Sequence, residues 1–422
     1  MTGRRAALAL ATVSAALASG VAHAADDPLR SEQWNLDAVN AAAANRISVG
    51  TGALVAVLDS GVQASHADLA GNVVAGPDLI DGDRTPDDQH GHGTNVAGII
   101  AARQGNGIGI SGAAPNARIL AIRVLDAHNN GNTEQEAAGI DAAVAGGAQV
   151  INLSLSAGPN VATQILPGSA LVQAIERAVR AGVVVVAAAG NDGVPLCAQP
   201  LLAAKIICVG AVNRVLTRAS YSNYAVRVDI VAPGGEPRAG EAIISTQLGG
   251  GFSAMAGTSQ ATPHVAAAAA LLVSLGLRGP AIIDRLEQTA TDLGNPTLLG
   301  HGLLNMQAAV AGLGPPLADP APAAAPVATI PARLRISAVR RRGLPVICTS
   351  REPGTCRVRA TAEGSVLAVG SRRVRAGVAT KVRAILTAAG RRRLERATRI
   401  AVHVRVTVPG TTPVRLRTTL VR

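Results

Sequence analysis

Between residues 54 and 310 the chain alternates short apolar runs, rich in β-branched residues, with longer stretches rich in alanine. Nearly continuous apolar runs are typical of strands buried on both faces of a sheet, and the alanine-rich stretches have the length of helices. This alternation predicts an α/β fold, a doubly wound and mostly parallel sheet with helices on both faces. The predicted strands are 54–58, 118–124, 150–155, 183–188 and 206–212, and the predicted helices are 134–146, 169–180 and 262–275.

A different pattern appears near the C-terminus. Valine occupies positions 402, 404, 406 and 408, and the residues between these valines are polar or basic. Strict alternation of this kind is typical of a strand with one buried face. Together with similar runs at 356–361 and 378–386, it predicts a small, sandwich-like, all-β C-terminal domain, to which residues 386–394 add one helical turn.

Residues 312–332 are rich in proline and alanine and carry little hydrophobic periodicity. Such a composition predicts a semi-extended linker. The linker separates an α/β domain over residues 25–311 from the β domain over residues 333–422.

The N-terminus has the features of an export signal. Arg4 and Arg5 precede an apolar run over residues 6–17, and small residues follow around Ala22 and Ala24. This pattern predicts a secretory signal peptide over residues 1–24 and an extracellular protein, and the alternative is a helix of the core. Later stretches do not reach about 18 uninterrupted apolar residues, so we expect no membrane span after cleavage.

The net charge of +12 is unevenly distributed. Residues 333–422 contain 22 Lys and Arg against three Glu, whereas residues 1–332 contain 17 bases and 24 acids. So basic a domain is expected to bind polyanions, such as cell-wall polymers or extracellular DNA, by salt-sensitive contacts. The alternative is that arginine is only the solvating residue of this chain. With one Trp, one Phe and two Tyr there are few rings to stack on bases, so no specific nucleic-acid partner is predicted.

Four cysteines are compatible with an oxidising destination. They lie in two close pairs, Cys197 with Cys208 and Cys348 with Cys356. Of the three possible connectivities, proximity favours these two pairs as disulfides. Neither pair has the C-x-x-C spacing of a zinc site, so a metal role is disfavoured.

Three motifs supply an acid, a base and a nucleophile. Asp59 ends a predicted strand in VAVLDSGV, His92 precedes an apolar helical run in HGHGTNVAGI, and Ser259 stands near the start of a long helix in MAGTSQATPHVAAAAALL. A hydroxyl is a poor nucleophile until a base takes its proton, and the base needs a carboxylate to fix its tautomer. The three residues are therefore predicted to be catalytic.

Asn191 adds a fourth group. It follows a buried strand in VVVVAAAGNDG, behind a glycine that allows a ligand to approach closely. Its amide and the backbone N–H of Ser259 are predicted to donate to the oxyanion of a tetrahedral intermediate.

Taken together, the motifs resemble those of the subtilisin-like serine peptidases (subtilases), most nearly the thermitase-type branch. The resemblance covers residues 27–310 and implies a subtilisin-like fold, endopeptidase activity on polypeptides and no organic cofactor. It assigns Asp59, His92 and Ser259 to the catalytic triad and Asn191 to the oxyanion hole. It also implies two backbone segments that flank the substrate and wall its main specificity pocket: Ser154, Leu155, Ser156 and Ala188, Ala189, Gly190.

The chain departs from the family pattern at several positions. Asn95 stands where a second histidine is usual, and Ser156 replaces a glycine. Gln260 replaces the frequent methionine after the nucleophile, which predicts better tolerance of peroxide. Little more than thirty residues separate the predicted cleavage point from Asp59, so we expect no folding-assistant propeptide.

Two sites are predicted for structural Ca²⁺. The acidic loop around Gly82 offers the hard oxygens that calcium prefers and has the spacing of a thermitase-type calcium loop. Its predicted ligands are Asp78, Asp81, Asp83, Thr85 and Asp87. The resemblance implies a second site built from Asp27, Asp68 and Asn106. The alternative for each is a solvated acidic turn.

The sequence thus predicts a secreted serine endopeptidase with structural calcium, which prefers an apolar side chain at the cleaved bond. An alternative is a catalytically silent subtilase scaffold that binds polyanions or a cell surface. A narrower alternative is a maturation peptidase with one exported client.

Overall fold

The computed structural model describes residues 27–155, 168–197, 205–225, 227–315, 317, 328–349, 354–375, 378–407 and 414–422. The predicted signal peptide, Ser156, Val408 and most of the predicted linker lie outside these residues. The contacts divide the chain into two compact units, and the division falls within the predicted linker.

The first unit is built on a parallel sheet of seven strands in the order β2-β3-β1-β4-β5-β6-β7. The strands are β1 Leu54–Asp59, β2 Val73–Asp78, β3 Arg118–Arg123, β4 Val150–Leu153, β5 Val184–Ala188, β6 Ile207–Val212 and β7 Ile230–Pro233. A hairpin of β8 Ile243–Gln247 and β9 Gly251–Met255 lies outside this sheet. The helices are α1 Trp34–Ala38, α2 Ala41–Ala44, α3 His92–Ala101, α4 Thr133–Ala145, α5 Ala170–Arg180, α6 Thr258–Ser274, α7 Pro280–Gln288, α8 Pro296–Leu299 and α9 Met306–Val310.

Both faces of the sheet are buried, as near-continuous apolar strands require. In β1, Val55 and Val57 pack on the side of α3 and α6, whereas Ala56 and Leu58 pack on the side of α4 and α5. Strands β2 and β3 lie on one side of β1 and strands β4 to β7 on the other, so the strand order reverses direction at β1. Ligands of doubly wound sheets bind beyond the carboxyl ends of the strands at such a point, and Asp59 is the last residue of β1.

The predicted fold class is confirmed, and the five predicted strands and three predicted helices are present with shifted ends. The short strands β2 and β7 escaped prediction, because β2 contains Gly76 and Pro77 and β7 has four residues. Helix α6 begins four residues earlier than predicted, because its first turn is the polar segment Thr258–Thr262. Ser259 consequently lies inside that first turn.

The second unit is an eight-stranded sheet in the order β10-β12-β15-β14-β13-β16-β17-β11. Its strands are β10 Ala328–Thr329, β11 Arg333–Arg335, β12 Leu344–Cys348, β13 Gly354–Ala362, β14 Ser365–Val374, β15 Thr380–Leu386, β16 Arg399–Thr407 and β17 Val414–Val421. The described pairs are antiparallel except for β11 with β17. Two helices, α10 Ile336–Arg342 and α11 Ala388–Arg396, belong to the same unit.

The valines of β16 behave as the alternation predicts: Val402, Val404 and Val406 are buried. Two expectations need correction. Strand β10 falls inside the predicted linker, because Ala328 and Thr329 pair with β12. The predicted helical turn is a full helix, α11, whose N-terminus is capped by Thr387.

Both predicted disulfides are present, Cys197–Cys208 and Cys348–Cys356. The first lies in the α/β unit, and the second joins β12 to β13. In the described part of the chain, no helix combines the length and the apolar character needed to cross a membrane.

Candidate active site

Asp59 and His92 meet at the carboxyl end of β1. Nδ1 of His92 donates to the Asp59 carboxylate, at 2.8 Å from Oδ1 and 2.9 Å from Oδ2. An ionised carboxylate is acceptor-only, so the proton resides on Nδ1 and Nε2 is left as the basic nitrogen. Asp59 is fully buried and also accepts the backbone N–H of Ser60. The carboxylate therefore holds the imidazole in the tautomer that a general base requires.

A second buried carboxylate, Asp88, supports this pair. Its oxygens accept the backbone N–H groups of Gly91 and Thr94 at the start of α3, and also the hydroxyl of Ser60. The hydroxyl of Ser60 in turn accepts the backbone N–H of Gly93, the residue after His92. Asp88 thus caps the helix that begins at His92 and ties it to the end of β1.

These carboxylates determine the protonation of His92. Burial lowers the pKa of His92, but the negative charge and hydrogen bond of Asp59 and the charge of Asp88 outweigh burial. The net effect is a pKa above the ordinary value, because both charges stabilise the imidazolium form. His92 is therefore suited to accept a proton during a reaction and to hold it until a leaving group needs it.

Ser259 and His92 line the same cleft, whose volume is about 570 Å³. The hydroxyl of Ser259 donates to the backbone carbonyl of Ser154 at 3.0 Å, and no hydrogen bond joins it to His92 among the described residues. Rotation about one side-chain bond redirects a serine hydroxyl, and catalytic hydrogen bonds often form only when substrate binds. The structure thus places base and nucleophile in one cleft with the hydroxyl turned towards Ser154.

Asn191 is held with its amide nitrogen available. Its Oδ1 accepts the backbone N–H and the hydroxyl of Thr258, at 2.9 and 3.0 Å. A Cβ added at Gly257 would lie 3.7 Å from Nδ2 of Asn191 and 3.6 Å from the backbone nitrogen of Ser259. Both nitrogens therefore border the same small space, which the absence of a side chain at Gly257 keeps open. Two N–H groups around one such space form a suitable oxyanion site.

The two predicted substrate walls differ in the structure. Ser154 and Leu155 line the cleft. Ala188, Ala189 and Gly190 are buried. The carbonyls of Ala189 and Gly190 accept hydrogen bonds from Asn223, so they serve to hold the loop before Asn191.

In the first predicted calcium loop, an arginine side chain is paired with two of the predicted ligands. Arg123, buried at the end of β3, donates from Nη1 to Asp78 at 2.8 Å and to Asp81 at 2.5 Å. Asp83 accepts the backbone N–H and the hydroxyl of Thr85. In the described parts of the chain, no three His, Cys, Asp or Glu side chains gather as a metal-binding group. Because Arg123 already neutralises two of the predicted ligands, Asp78 and Asp81, the arrangement of this loop does not fit an ion.

The second predicted calcium site brings its residues together. Asp27 accepts the backbone N–H of Asn106, and Asp68 accepts the Asn106 side-chain amide at 2.7 Å. Both carboxylates are buried, and neither is hydrogen-bonded to a described Lys or Arg. Burial and the nearby charge of Asp27 outweigh the hydrogen bonds from Ile110 and Asn106 and raise the pKa of Asp68. Two buried carboxylates without a cation fit a hard divalent ion.

Asp88 and Glu136 were not predicted as residues of the site, although a feature of the sequence indicates each of them. Asp88 stands just before a helix start, where an acidic side chain is a typical cap. Glu136 also lines the cleft. It lies four residues before the buried Ile140 on α4, so the helical period turns it inward.

Comparison with known proteins gives a consistent result. Residues 50–302 match the sequence model of the peptidase S8 or subtilase family. The chain is 40% identical over 287 residues to thermitase of Thermoactinomyces vulgaris, which covers 68% of this chain and 98% of thermitase. It is 43% identical over 261 residues to a thermophilic serine proteinase of Bacillus sp. (strain AK1), which covers 62% of each protein. A solved protease from Pseudoalteromonas arctica PAMC 21717 superposes with a TM-score of 0.64 at 31% identity, over 69% of this chain and all of that one.

The seven-stranded sheet and the cleft at its carboxyl edge define a subtilisin-like α/β hydrolytic enzyme. The sequence matches agree, and the chain belongs to the subtilase family as a subtilisin-like serine endopeptidase. The predicted family is thereby confirmed. The family match ends at residue 302, before the basic β unit begins.

Proposed function

We propose that the protein is a secreted serine endopeptidase that hydrolyses polypeptides through Asp59, His92 and Ser259. The observation that carries this proposal is the hydrogen bond from His92 to Asp59 at a cleft that Ser259 and Asn191 also line. Two disulfides, which are typical of oxidising compartments, support the secreted location. Because all four chemical groups are present, a silent scaffold is disfavoured.

In the proposed reaction, Nε2 of His92 takes the hydroxyl proton of Ser259 as Oγ attacks the substrate carbonyl carbon. The negative charge that develops on the carbonyl oxygen is stabilised by Nδ2 of Asn191 and the backbone N–H of Ser259. His92 then gives its proton to the departing amine, which leaves an acyl-enzyme. Water, deprotonated by the same histidine, releases the acid product and restores the serine.

Labelling with a fluorophosphonate tests the proposal, because the probe reacts with an activated serine. The wild-type chain should be labelled, Ser259→Ala and His92→Ala should not, and Ser253→Ala, a serine in β9, should be labelled like wild type. Fluorescence of Trp34, the one tryptophan, verifies folding of each variant. Absence of labelling in folded wild-type protein would contradict the proposal and favour the silent scaffold.

We also propose a structural calcium ion between Asp27 and Asp68. A ligand present at about a hundred times its Kd stabilises the folded state by about 2.7 kcal/mol, so chelation by EGTA should lower the thermal midpoint. Asp68→Asn should abolish this difference, whereas Asp87→Asn, in the other acidic loop, should retain it. The reverse result would assign the ion to the loop of Asp78.

A second candidate function, attachment to polyanions, is supported by one row of arginines in the β unit. The register places Arg359 opposite Arg405 and Arg405 opposite Arg415, all three exposed. Like charges directly opposite one another destabilise a sheet. Within the described residues none of the three is paired with a carboxylate, whereas Arg340 is paired with Glu395. An anionic polymer lying across the strands would neutralise the row.

Binding of the full chain to dextran sulfate tests this function. In wild type, affinity should fall steeply with salt, and the double variant Arg405→Ser, Arg415→Ser should reduce the slope of log K against log salt by about two. Arg340→Ser serves as the matched control, since its charge is already paired. Binding that is insensitive to salt, or equal in the double variant, would contradict the proposal.

A further inference from the structure

Glu136 is a carboxylate inside the active-site cleft that the proposed reaction does not use. It lies in the first turn of α4 and lines the cleft together with His92 and Ser259. Its Oε1 is removed from solvent and has no hydrogen-bond partner in the part of the chain that the structure describes. Val124 and Leu155 are among the apolar residues of the same cleft.

The described part of the cleft provides no permanently positive side chain to compensate the negative charge of Glu136. No Lys or Arg is among the described residues that line the cleft. Burial alone raises the pKa of Glu136 to about 7, with no neighbouring charge or hydrogen bond to oppose it. Burying a carboxylate oxygen without a partner destabilises a fold, so Oε1 of Glu136 calls for a partner that arrives from outside.

A role in folding does not account for Glu136. Helix α4 is capped by Asn132, whose side chain accepts the backbone N–H of Gln135, while the Gln135 side chain accepts the backbone N–H of Asn132. Glu134, exposed in the same turn, already supplies a negative charge near the helix N-terminus. The cap leaves Glu136 on a fixed element at the cleft, as a recognition residue requires.

We propose that Glu136 is a specificity-determining residue that binds the side chain of a substrate lysine or arginine within the cleft. The inference rests on the proposed function. An ammonium or guanidinium group would donate a charge-assisted hydrogen bond to Oε1, and its aliphatic stem would contact the apolar residues of the cleft. One subsite then selects a basic side chain, separately from the apolar preference predicted at the cleaved bond.

The experiment uses internally quenched peptides of one parent sequence. Each of four positions before and two positions after the scissile bond is in turn Arg, Lys, Gln, Glu or Leu, and kcat/KM is measured with the full chain. At one position Arg or Lys should exceed Gln by about tenfold or more in wild type. This ratio should fall to near one in Glu136→Gln and invert to favour a substrate Glu in Glu136→Lys.

The matched control is Glu134→Gln, which removes the same charge from the exposed side of the same turn and should keep the wild-type ratio. Fluorescence of Trp34 verifies folding of Glu136→Gln, and the Arg-to-Gln ratio is compared within each enzyme, so that a general loss of activity does not change it. If wild type cleaves but has no basic preference that depends on residue 136, the inference fails and the proposed function stands. If wild type cleaves nothing, binding of the Arg and Gln peptides to Ser259→Ala, with and without Glu136→Gln, decides the subsite by itself.

Discussion

Gln260 donates from Nε2 to Oδ1 of Asn95 at 3.3 Å, in a buried contact between α6 and α3. These are two positions at which the chain departs from the subtilase pattern, and they lie 165 residues apart. Asn95 follows His92 by three residues on α3, and Gln260 is the neighbour of Ser259 on α6. The two departures therefore form one contact, which links the helix of the proposed base to that of the proposed nucleophile.

This contact predicts coupled effects on stability. Gln260→Ala leaves Oδ1 of Asn95 without a donor, and Nδ2 of Asn95 already has no partner among the described residues. A buried polar group that loses its partner costs about 1–3 kcal/mol, so the free energy of unfolding should fall by that amount. In urea unfolding followed by Trp34 fluorescence, the double variant with Asn95→Ala should be less destabilised than the sum of the single variants. Strict additivity would contradict the coupling.

Peroxide should act on the cleft through Met255. Gln260 removes the thioether that usually follows the nucleophile, but Sδ of Met255 lies 3.9 Å from Nε2 of Gln260 and Met255 lines the cleft. Oxidation makes this side chain polar and alters the contact. We expect slow inactivation in dilute peroxide, and Met255→Leu should largely abolish it. Met306, which is buried in the core, provides the matched control as Met306→Leu. Equal inactivation of wild type and Met255→Leu would contradict this prediction.

Local pattern was enough to predict the α/β fold, because strands buried on both faces leave continuous apolar runs such as 184–188. Asp59 and His92 were recognisable because they lie at the end of a strand and the start of a helix, and Asn191 because it follows a buried strand by three residues. The ends of parallel strands meet at one edge, so their order in the chain already implies a common site.

Pairings across the fold were not predictable in this way. The ion pair of Arg123 with Asp78 and Asp81 depends on a side chain at the end of a different strand, 40 or more residues away. The acidic spacing alone suggests calcium, and only the packing reveals the guanidinium.

Gly257 predicts a test of the oxyanion site that leaves the triad untouched. A Cβ there would reach the space bordered by Nδ2 of Asn191 and the nitrogen of Ser259, and would lie 3.0 Å from Oε1 of Gln260. Gly257→Ala should lower kcat by about a hundredfold, the size of effect known for losing one oxyanion donor in this family, with little change in KM. The kinetics of a chromogenic peptide measure this. Ser253→Ala serves as the control. Gly249→Ala is not used, because the positive φ of Gly249 would strain an alanine even though open space surrounds that position.

The Asp88 carboxylate predicts a shift in the pH dependence of activity. Only neutral His92 accepts the serine proton, so kcat/KM should fall on the acid side as His92 becomes protonated. Burial lowers the pKa of His92, while Asp59 and Asp88 raise it above the ordinary value of about 6.5. Asp88→Asn removes one stabilising charge from the imidazolium form, so the acid limb should move to lower pH.

The same substitution should also cost about 1–3 kcal/mol of stability, because the new amide nitrogen faces a donor in either orientation, Ser60 Oγ in one and the Thr94 N–H in the other. Profiles of kcat/KM against pH, measured where the variant is folded, separate the two effects. Asp87→Asn, one residue away, should leave the acid limb in place, because Asp87 does not contribute to the His92 pKa. If Asp88→Asn is less stable than wild type but its acid limb is unchanged, the role of Asp88 is to cap α3 and not to raise the pKa of His92. A limb that moves to higher pH would contradict the electrostatic argument itself.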